Sequence, residues 1–517
     1  MSSSVEIALD PALKKPRFDD TDIPLRNDQK VHANDFITLI FVDQREINLS
    51  DSKKYQYYYS HPTYTHQLFE EERIDFLTEK TEKAFRDFHR SSETENAEPE
   101  TSPAILIYIN CMDLAHYPTT RSVDALTERE MLLAKIEPAI PVSSLSTIFA
   151  ASISDSSREC KSFQNIAPIM PPGKLLVASH SAAVSIESTL QSSKPSQLSF
   201  EMFLASATDH GASELLSRAE KIAMWYIETA DSIDFADERW EVLNLYSTRS
   251  ETIDGKIMPA VHSFAGYMTL FTFCNPFLGS KIRVCQALVL PHMQSKGLGR
   301  KMLLAVYELA KSRSCITEVT VEDPAPAFER LRDAVDCEWV MLHLHEQAMK
   351  SKIDLKGSIE PIVNETGVER TDVMSLQATI SEAFLNLSVE LKERSKLLKL
   401  TPSQTSFAYE SLQYSVLLIP LIDKEDSALE ASRIERKLDG SVNKGRTEIS
   451  QTILTALSLM PEYKSFRLGV KRRLLGSNRY LKEQSSSAMQ LELERMFKEQ
   501  IIRYTHCLAS IRRISFL

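Results

Sequence analysis

The stretch Arg283-Val-Cys-Gln-Ala-Leu-Val-Leu290 is followed by Pro291 and then by Gln294-Ser-Lys-Gly-Leu-Gly-Arg300, after which Leu303, Val306, Leu309 and Ala310 recur at helical spacing. The first part predicts a strand, half polar and then apolar, that Pro291 stops, and the last predicts a helix. Glycine in the turn between them lets the backbone approach a ligand closely. The unpaired N–H groups of the first helical turn, helped by the helix dipole, favour a phosphate there. The spacing departs from two common nucleotide loops. A Walker loop needs Gly-x-x-x-x-Gly-Lys-Ser/Thr and a Rossmann turn Gly-x-Gly-x-x-Gly, whereas this turn holds only Gly297-x-Gly299. Taken alone, the pair is weak evidence for a phosphate loop, and a plain strand-to-helix turn is the better reading of it.

The chain around this stretch has 517 residues, enough for two to four domains and a large core. Lys plus Arg total 60 against 71 Asp plus Glu, a net charge of −11. That balance argues against a protein that coats nucleic acid, which needs concentrated positive charge to release counterions; an acidic surface attracts cationic partners instead. None of the seven cysteines forms a Cys-x-x-Cys pair, so neither a zinc cage nor a disulfide framework is predicted, and no metal is expected. No apolar run approaches the roughly 18 residues that cross a bilayer, and Met-Ser-Ser-Ser-Val-Glu at the start is unlike a signal peptide. These features predict a soluble protein of a reducing, intracellular compartment.

Four segments are expected. Residues 1–30 read as a disordered polar tail, in which Lys14-Lys15-Pro16-Arg17 is either a nuclear-import signal or a solvated basic cluster. Residues 31–210 read as an α+β domain, with strands at Asp35–Asp43 and Ala104–Ile109. Its loops are Ser91–Pro103 and the Ser-rich stretches Ser143–Ser162 and Ser192–Ser199. Residues 211–340 hold a helix from Leu215 to about Glu228, strands at Trp240–Tyr246 and Phe264–Cys274 joined through the turn signal Asp254-Gly255, the opening stretch, and a strand at Ile316–Val321. After that strand Asp323 is placed to cap a helix that starts at Pro324. Residues 341–517 read as helical, with a stripe of Met489, Leu493, Phe497, Tyr504, Leu508 and Ile511. The basic run Lys464, Arg467, Lys471, Arg472 and Arg473 is either an anion contact or a solvated helix face.

Gln-x-x-Gly-x-Gly between an apolar strand and a helix resembles the pyrophosphate loop of the GCN-five-related acetyltransferase superfamily. Within it, the chain resembles the type B histone acetyltransferases. The shared stretches are Tyr64-Thr-His-Gln-Leu-Phe69, Trp225-Tyr-Ile-Glu-Thr-Ala230, Asp237-Glu-Arg-Trp240, Gly266-Tyr-Met-Thr269, Gln294–Gly299, Val321-Glu-Asp-Pro324, Leu331-Arg-Asp333 and Tyr463–Leu474. They keep one order from about residue 35 to 475, with insertions; the Ser-rich stretches and 341–444 fit the family poorly. After Pro324 the chain has Ala325-Pro-Ala327 where relatives often carry polar residues, which puts a hydroxyl contact to the cofactor in doubt.

The resemblance implies an α/β fold with a central mixed, splayed sheet, flanked by an N-terminal α+β domain and a helical C-terminal domain. It implies acetyl transfer from acetyl-CoA to lysine of newly made, free histone, chiefly the histone four tail. A WD-repeat histone chaperone would be the partner, and the protein would move between nucleus and cytoplasm, with neither nucleic acid nor membrane bound. Glu322 would be the general base, with Glu228 and Asp323 as auxiliary carboxylates. The backbone of Ala287, Leu288 and Val289 would hold the acetyl and pantetheine portions, and Gln294, Ser295, Lys296, Gly297, Leu298, Gly299 and Arg300 the pyrophosphate. Glu70, Glu71 and Glu72 would face the basic tail, and Trp240, Phe271, Thr272 and Phe273 would line the peptide groove. Each also has a plain structural reading: Asp323 a helix cap, Glu228 a helix end, the glutamates a solvated loop, the aromatics core. Cys285 reads as a buried small residue. Two rivals stand beside this reading, an acetyltransferase of other proteins or polyamines and a histone-binding scaffold without turnover.

Overall fold

A computed structural model of the chain describes residues 31–44, 55–92, 102–123, 125–141, 170–180, 199–249, 252–253, 256–257, 260–356, 387–436 and 451–515. The expected tail 1–30 with its basic cluster, both Ser-rich stretches save Ser199, and the Asp254-Gly255 turn lie outside the described residues. The fold is α/β. Described residues fall into two compact units, one within Leu25–Val306 plus Thr320–Asp323 and the other within Tyr307–Val319 and Pro324–Leu517.

The first unit contains two sheets. In one, β1 (Ile37–Gln44) lies between β2 (Tyr55–Ser60), antiparallel to it, and β3 (Ala104–Asn110), parallel to it; β4 (His116–Arg121) completes the order β2-β1-β3-β4. The apolar run of β1, interrupted at Thr38, follows from this central position. Ile37, Leu39 and Phe41 enter the main core, while Ile40 and Val42 pack on the opposite face with Ala104 and Leu106. The second sheet has the order β10-β9-β8-β7-β6-β5, from β5 (Lys174–His180), β6 (Ser199–Ala205), β7 (Trp240–Arg249), β8 (Val261–Phe273), β9 (Ser280–Val289) and β10 (Ile316–Val321). Its pairs from β5 to β9 are antiparallel. β10 runs with β9, since the Thr320 hydroxyl donates to Ile282 O and the Glu322 N–H to Val284 O. The sheet is therefore mixed. After helices α1 (Glu79–Ser92) and α2 (Leu126–Ile136) comes α3 (Ala212–Ala223), and a continuous core joins the β1 face, α3, Trp225, and Phe264, Tyr267 and Leu288 of the second sheet. A fully buried carboxylate in this unit is held by two donors: Asp43 accepts from Arg249 and from the Ser263 hydroxyl, each at 2.5 Å.

The expected helix to Glu228 stops at Ala223. Trp225 and Tyr226 bond to carbonyls three residues back, and the Trp225 carbonyl accepts the N–H groups of Thr63 and Tyr64, which draws the chain out of the helix. The helix expected at Pro324 begins at Pro326. A residue before proline is pushed out of the helical region, so Ala325 cannot be helical and Pro326 takes the first helical position. Asp323 therefore lies outside the cap position, with φ of 29°.

Apart from the first residues of β10, the described elements of the second unit are helices. Its elements include α5 (Pro326–Lys356), α6 (Leu387–Leu398), α7 (Pro402–Arg436), α8 (Gln451–Leu459), α9 (Pro461–Ser477) and α10 (Ser486–Ser515). Leu493, Phe497 and Tyr504 of the predicted stripe are buried, and Tyr504 packs with Phe407, Tyr414 and Phe466. Three members of the basic run are consumed by neighbouring helices: Arg467 and Lys471 pair with Glu494, and Arg473 forks onto Glu410. Among the described residues no helix is long and apolar enough to cross a membrane.

This unit also carries a titrating core. Asp336 is fully buried, accepts from the Tyr307 hydroxyl and from Gln404 Nε2, and has its pKa raised to about 7, chiefly by burial. Its folded-state pKa lies above the unfolded one. Its contribution is complete below about pH 4 and declines as pH rises to about 7, because the unfolded chain releases the proton first. Asp336→Asn is expected to remove that decline. In thermal melts the wild-type helical unit should lose more stability between pH 5 and 8 than the variant, and equal pH dependence in the two would refute the assignment.

Candidate active site

The site forms where β9 outlasts its neighbour. β10 ends at Val321, and Glu322 is already level with Val284, so the part of β9 holding Ala287, Leu288 and Val289 runs on past the end of β10. Backbone groups alternate sides along a strand. Leu290 N–H bonds to Ala265 O on β8, and Gln286 N–H to the Thr269 hydroxyl, so the even-numbered residues face β8. Those of Ala287 and Val289 point to the splayed edge, where Val289 O accepts from Gln294 Nε2 at 2.9 Å. β9 lies unusually close to β8 here, since a Cβ on Gly266 would sit 2.4 Å from Leu288 O.

The loop after β9 turns on two left-handed residues, Ser295 at φ 60° and Gly297 at φ 73°. Gly297 O accepts the Lys301 N–H, and α4 (Leu298–Ser312) starts immediately after Gly297 with Leu298 buried. The first N–H groups of a helix lack intrahelical partners and form an anion seat. Gln294 and Lys296 use their side chains inside the loop, Lys296 Nζ donating to His292 O at 2.9 Å.

Glu322, half exposed at the end of β10, pairs with Arg283 at 3.4 Å. Cys285, two residues along β9, also bonds to Glu322; burial and that carboxylate push its thiol up to about 12. It stays a neutral thiol at physiological pH, which makes it a poor nucleophile. Cys285 is the extra residue of a bulge, since Thr269 pairs with Gln286 and Leu270 with Val284.

The rings of Trp240, Phe271 and Phe273 pack in a row. Rings of Trp240 and Phe271 lie 4.7 Å apart, as do those of Phe271 and Phe273. Arg239 covers Phe271 at 4.7 Å and Arg283 covers Phe273 at 4.4 Å. Trp240, Phe271 and Arg283 are register partners across β7, β8 and β9, so the aromatic row leads to Glu322. Thr272 alternates to the other face, its N–H bonded to Arg239 O.

Glu228 is exposed in a turn tied to two places. Gln67 Nε2 donates to Glu228 O and Ala230 O, and Gln286 Nε2 reaches Asp231 O on the same loop. Of the acidic run, Glu70 and Glu71 are exposed, while Glu72 turns inward to accept from Thr65 N–H and Asn34 Nδ2. Asp323 is exposed beside Glu322. Sequence reasoning assigned no role to Arg283, Gln286 or Gly266. Positions 283 and 285 alternate on a strand that precedes the Glu-Asp-Pro motif, and that alternation was the available signal.

Among characterised proteins, a relative from Mycosarcoma maydis named histone acetyltransferase type B catalytic subunit is 30% identical over 233 residues, 42% of this chain and 51% of the relative. The proteins of the same name from Rattus norvegicus and Homo sapiens are each 32% identical over 136 residues, 26% of this chain and 31% of theirs. This chain is similar to the type B histone acetyltransferase catalytic subunits. It spans about half or less of the length of these type B relatives. No family model matches it. An aminoglycoside acetyltransferase from a soil metagenomic sample matches at a TM-score of 0.19 and 12% identity, over 33% of this chain and 93% of that one.

Proposed function

We propose that the protein is a type B histone lysine N-acetyltransferase using acetyl-CoA, acting on free, newly made histone and chiefly on the histone four tail. The observation that carries this reading is the position of Glu322, between the splayed half of β9 and the head of the aromatic row. A free lysine amine has a pKa of about 10.4 and must lose a proton before it can attack. Glu322 takes that proton, directly or through one water, and the neutral amine forms the N–C bond; the thioester C–S bond then breaks, and the second amine proton goes to the departing thiolate. Acetyl-CoA supplies the thioester and lies along Ala287–Val289, its pyrophosphate on the Gln294–Arg300 loop. The neutral thiol of Cys285 favours direct transfer over an acetyl-cysteine step.

Glu228 and Asp323 are the auxiliary carboxylates. Glu70 and Glu71 face the basic tail, and Trp240, Phe271 and Phe273 line its groove. A WD-repeat histone chaperone and residence in both nucleus and cytoplasm complete the proposal on the similarity to the type B relatives. The test is a panel of acceptors with the full chain. A histone four tail peptide is expected to exceed spermidine at least tenfold in kcat/KM; equal turnover of the two would overturn the substrate assignment.

A further inference from the structure

Arg283 occupies a position with two features that a substrate ammonium would seek. Its guanidinium lies 4.4 Å from the Phe273 ring centroid and donates to Glu322 at 3.4 Å, at the end of the row Trp240–Phe271–Phe273. A cation over an aromatic face and beside a carboxylate is the arrangement that recognises a lysine head group. The pair is also built to open. Its side chains are 39% and 47% exposed, and exposed ion pairs of this kind are weak. Arg283 sits on strand β9, its backbone paired in register with Phe271, so a change of side-chain rotamer alone moves the guanidinium away.

We propose that Arg283 is a latch that mimics the substrate: it fills the cation seat formed by Phe273 and Glu322, and the acceptor lysine must displace it to reach the base. The inference rests on the acetyltransferase reading of this site. It makes Arg283 a specificity-determining residue, because only an acceptor with its own cation replaces both contacts that the guanidinium gives up. A neutral acceptor leaves Glu322 paired and out of use.

The test compares wild type with Arg283→Gln and Arg283→Lys, at saturating acetyl-CoA, on a lysine-containing histone four tail peptide. Peptide binding is measured separately by calorimetry. Emptying the seat is expected to lower both KM and Kd for the peptide about three- to tenfold, about 0.7–1.4 kcal/mol, with kcat within about twofold. Arg283→Lys, which keeps a cation on the same strand position, should stay close to wild type. The gain in Arg283→Gln should persist at 0.3 M salt, where simple charge repulsion of a basic peptide is screened. A rise in KM, a tenfold fall in kcat at unchanged Kd, or a gain that vanishes in salt would overturn the latch. Failure of wild type to acetylate any peptide would strike the proposed function instead. The binding arm then decides the latch alone: a lower Kd in Arg283→Gln supports it, and an unchanged Kd refutes it.

Discussion

Glu322→Gln is expected to lower kcat/KM for acetyl transfer about 100- to 10,000-fold at pH 7, the range that general-base catalysis contributes. The amide keeps the shape of the carboxylate and can still bond to Arg283, but it cannot accept the lysine proton. With the base gone, only the small fraction of acceptor already neutral reacts. That fraction grows about tenfold per pH unit toward the lysine pKa of about 10.4, so the variant should recover as pH rises. Binding of acetyl-CoA should be unchanged, because the groups proposed to hold it belong to β9 and the following loop. A variant within tenfold of wild type at pH 7 would remove Glu322 from the role and make Glu228 the base to test. Glu228 is a suitable second candidate because its loop is tied to β9 through Gln286.

The second large effect is expected from Gly266→Ala, a single methyl group. Its Cβ would lie 2.4 Å from Leu288 O and 3.0 Å from Val289 Cα, and both obstacles are backbone. No rotamer change relieves such a contact, so β8 and β9 must part where β9 is to hold acetyl-CoA. The cost is expected near the upper end for overpacking, about 3 kcal/mol, which lowers the melting temperature on the order of 5–10 °C. Separation of the strands should also weaken acetyl-CoA binding, read by calorimetry or by the loss of cofactor-induced stabilisation. A variant with wild-type melting and affinity would mean that the close approach is not needed.

How much was legible before the structure depended on the range of the interaction. The strand, glycine-bearing turn and helix from Arg283 to Ala310 were readable because proline, glycine and apolar spacing are local signals. The stripe of the last helix was readable for the same reason, and Leu493, Phe497 and Tyr504 are indeed buried. Several strand ends shifted by one to three residues, and two helix boundaries were misplaced where a second influence intervened. Pro326 delayed the helix after Glu322, and carbonyl contacts from Trp225 to the segment at Thr63 ended the helix at Ala223.

The sequence by itself determined the local elements, a strand, a glycine-bearing turn and a helix from Arg283 to Ala310, and its resemblance to the type B acetyltransferases nominated the Gln-x-x-Gly-x-Gly loop, the Glu-Asp-Pro motif and the aromatics as candidates. Only the tertiary structure decided which of them meet. Arg283 and Glu322 are 39 residues apart, and Gln67 and Glu228 are 161 apart. Such pairs depend on strand register and on where one strand ends beside another, which no local pattern carries. The same is true of the basic run near Arg467, which could face an anion or solvent until α7 and α10 placed Glu410 and Glu494 against it.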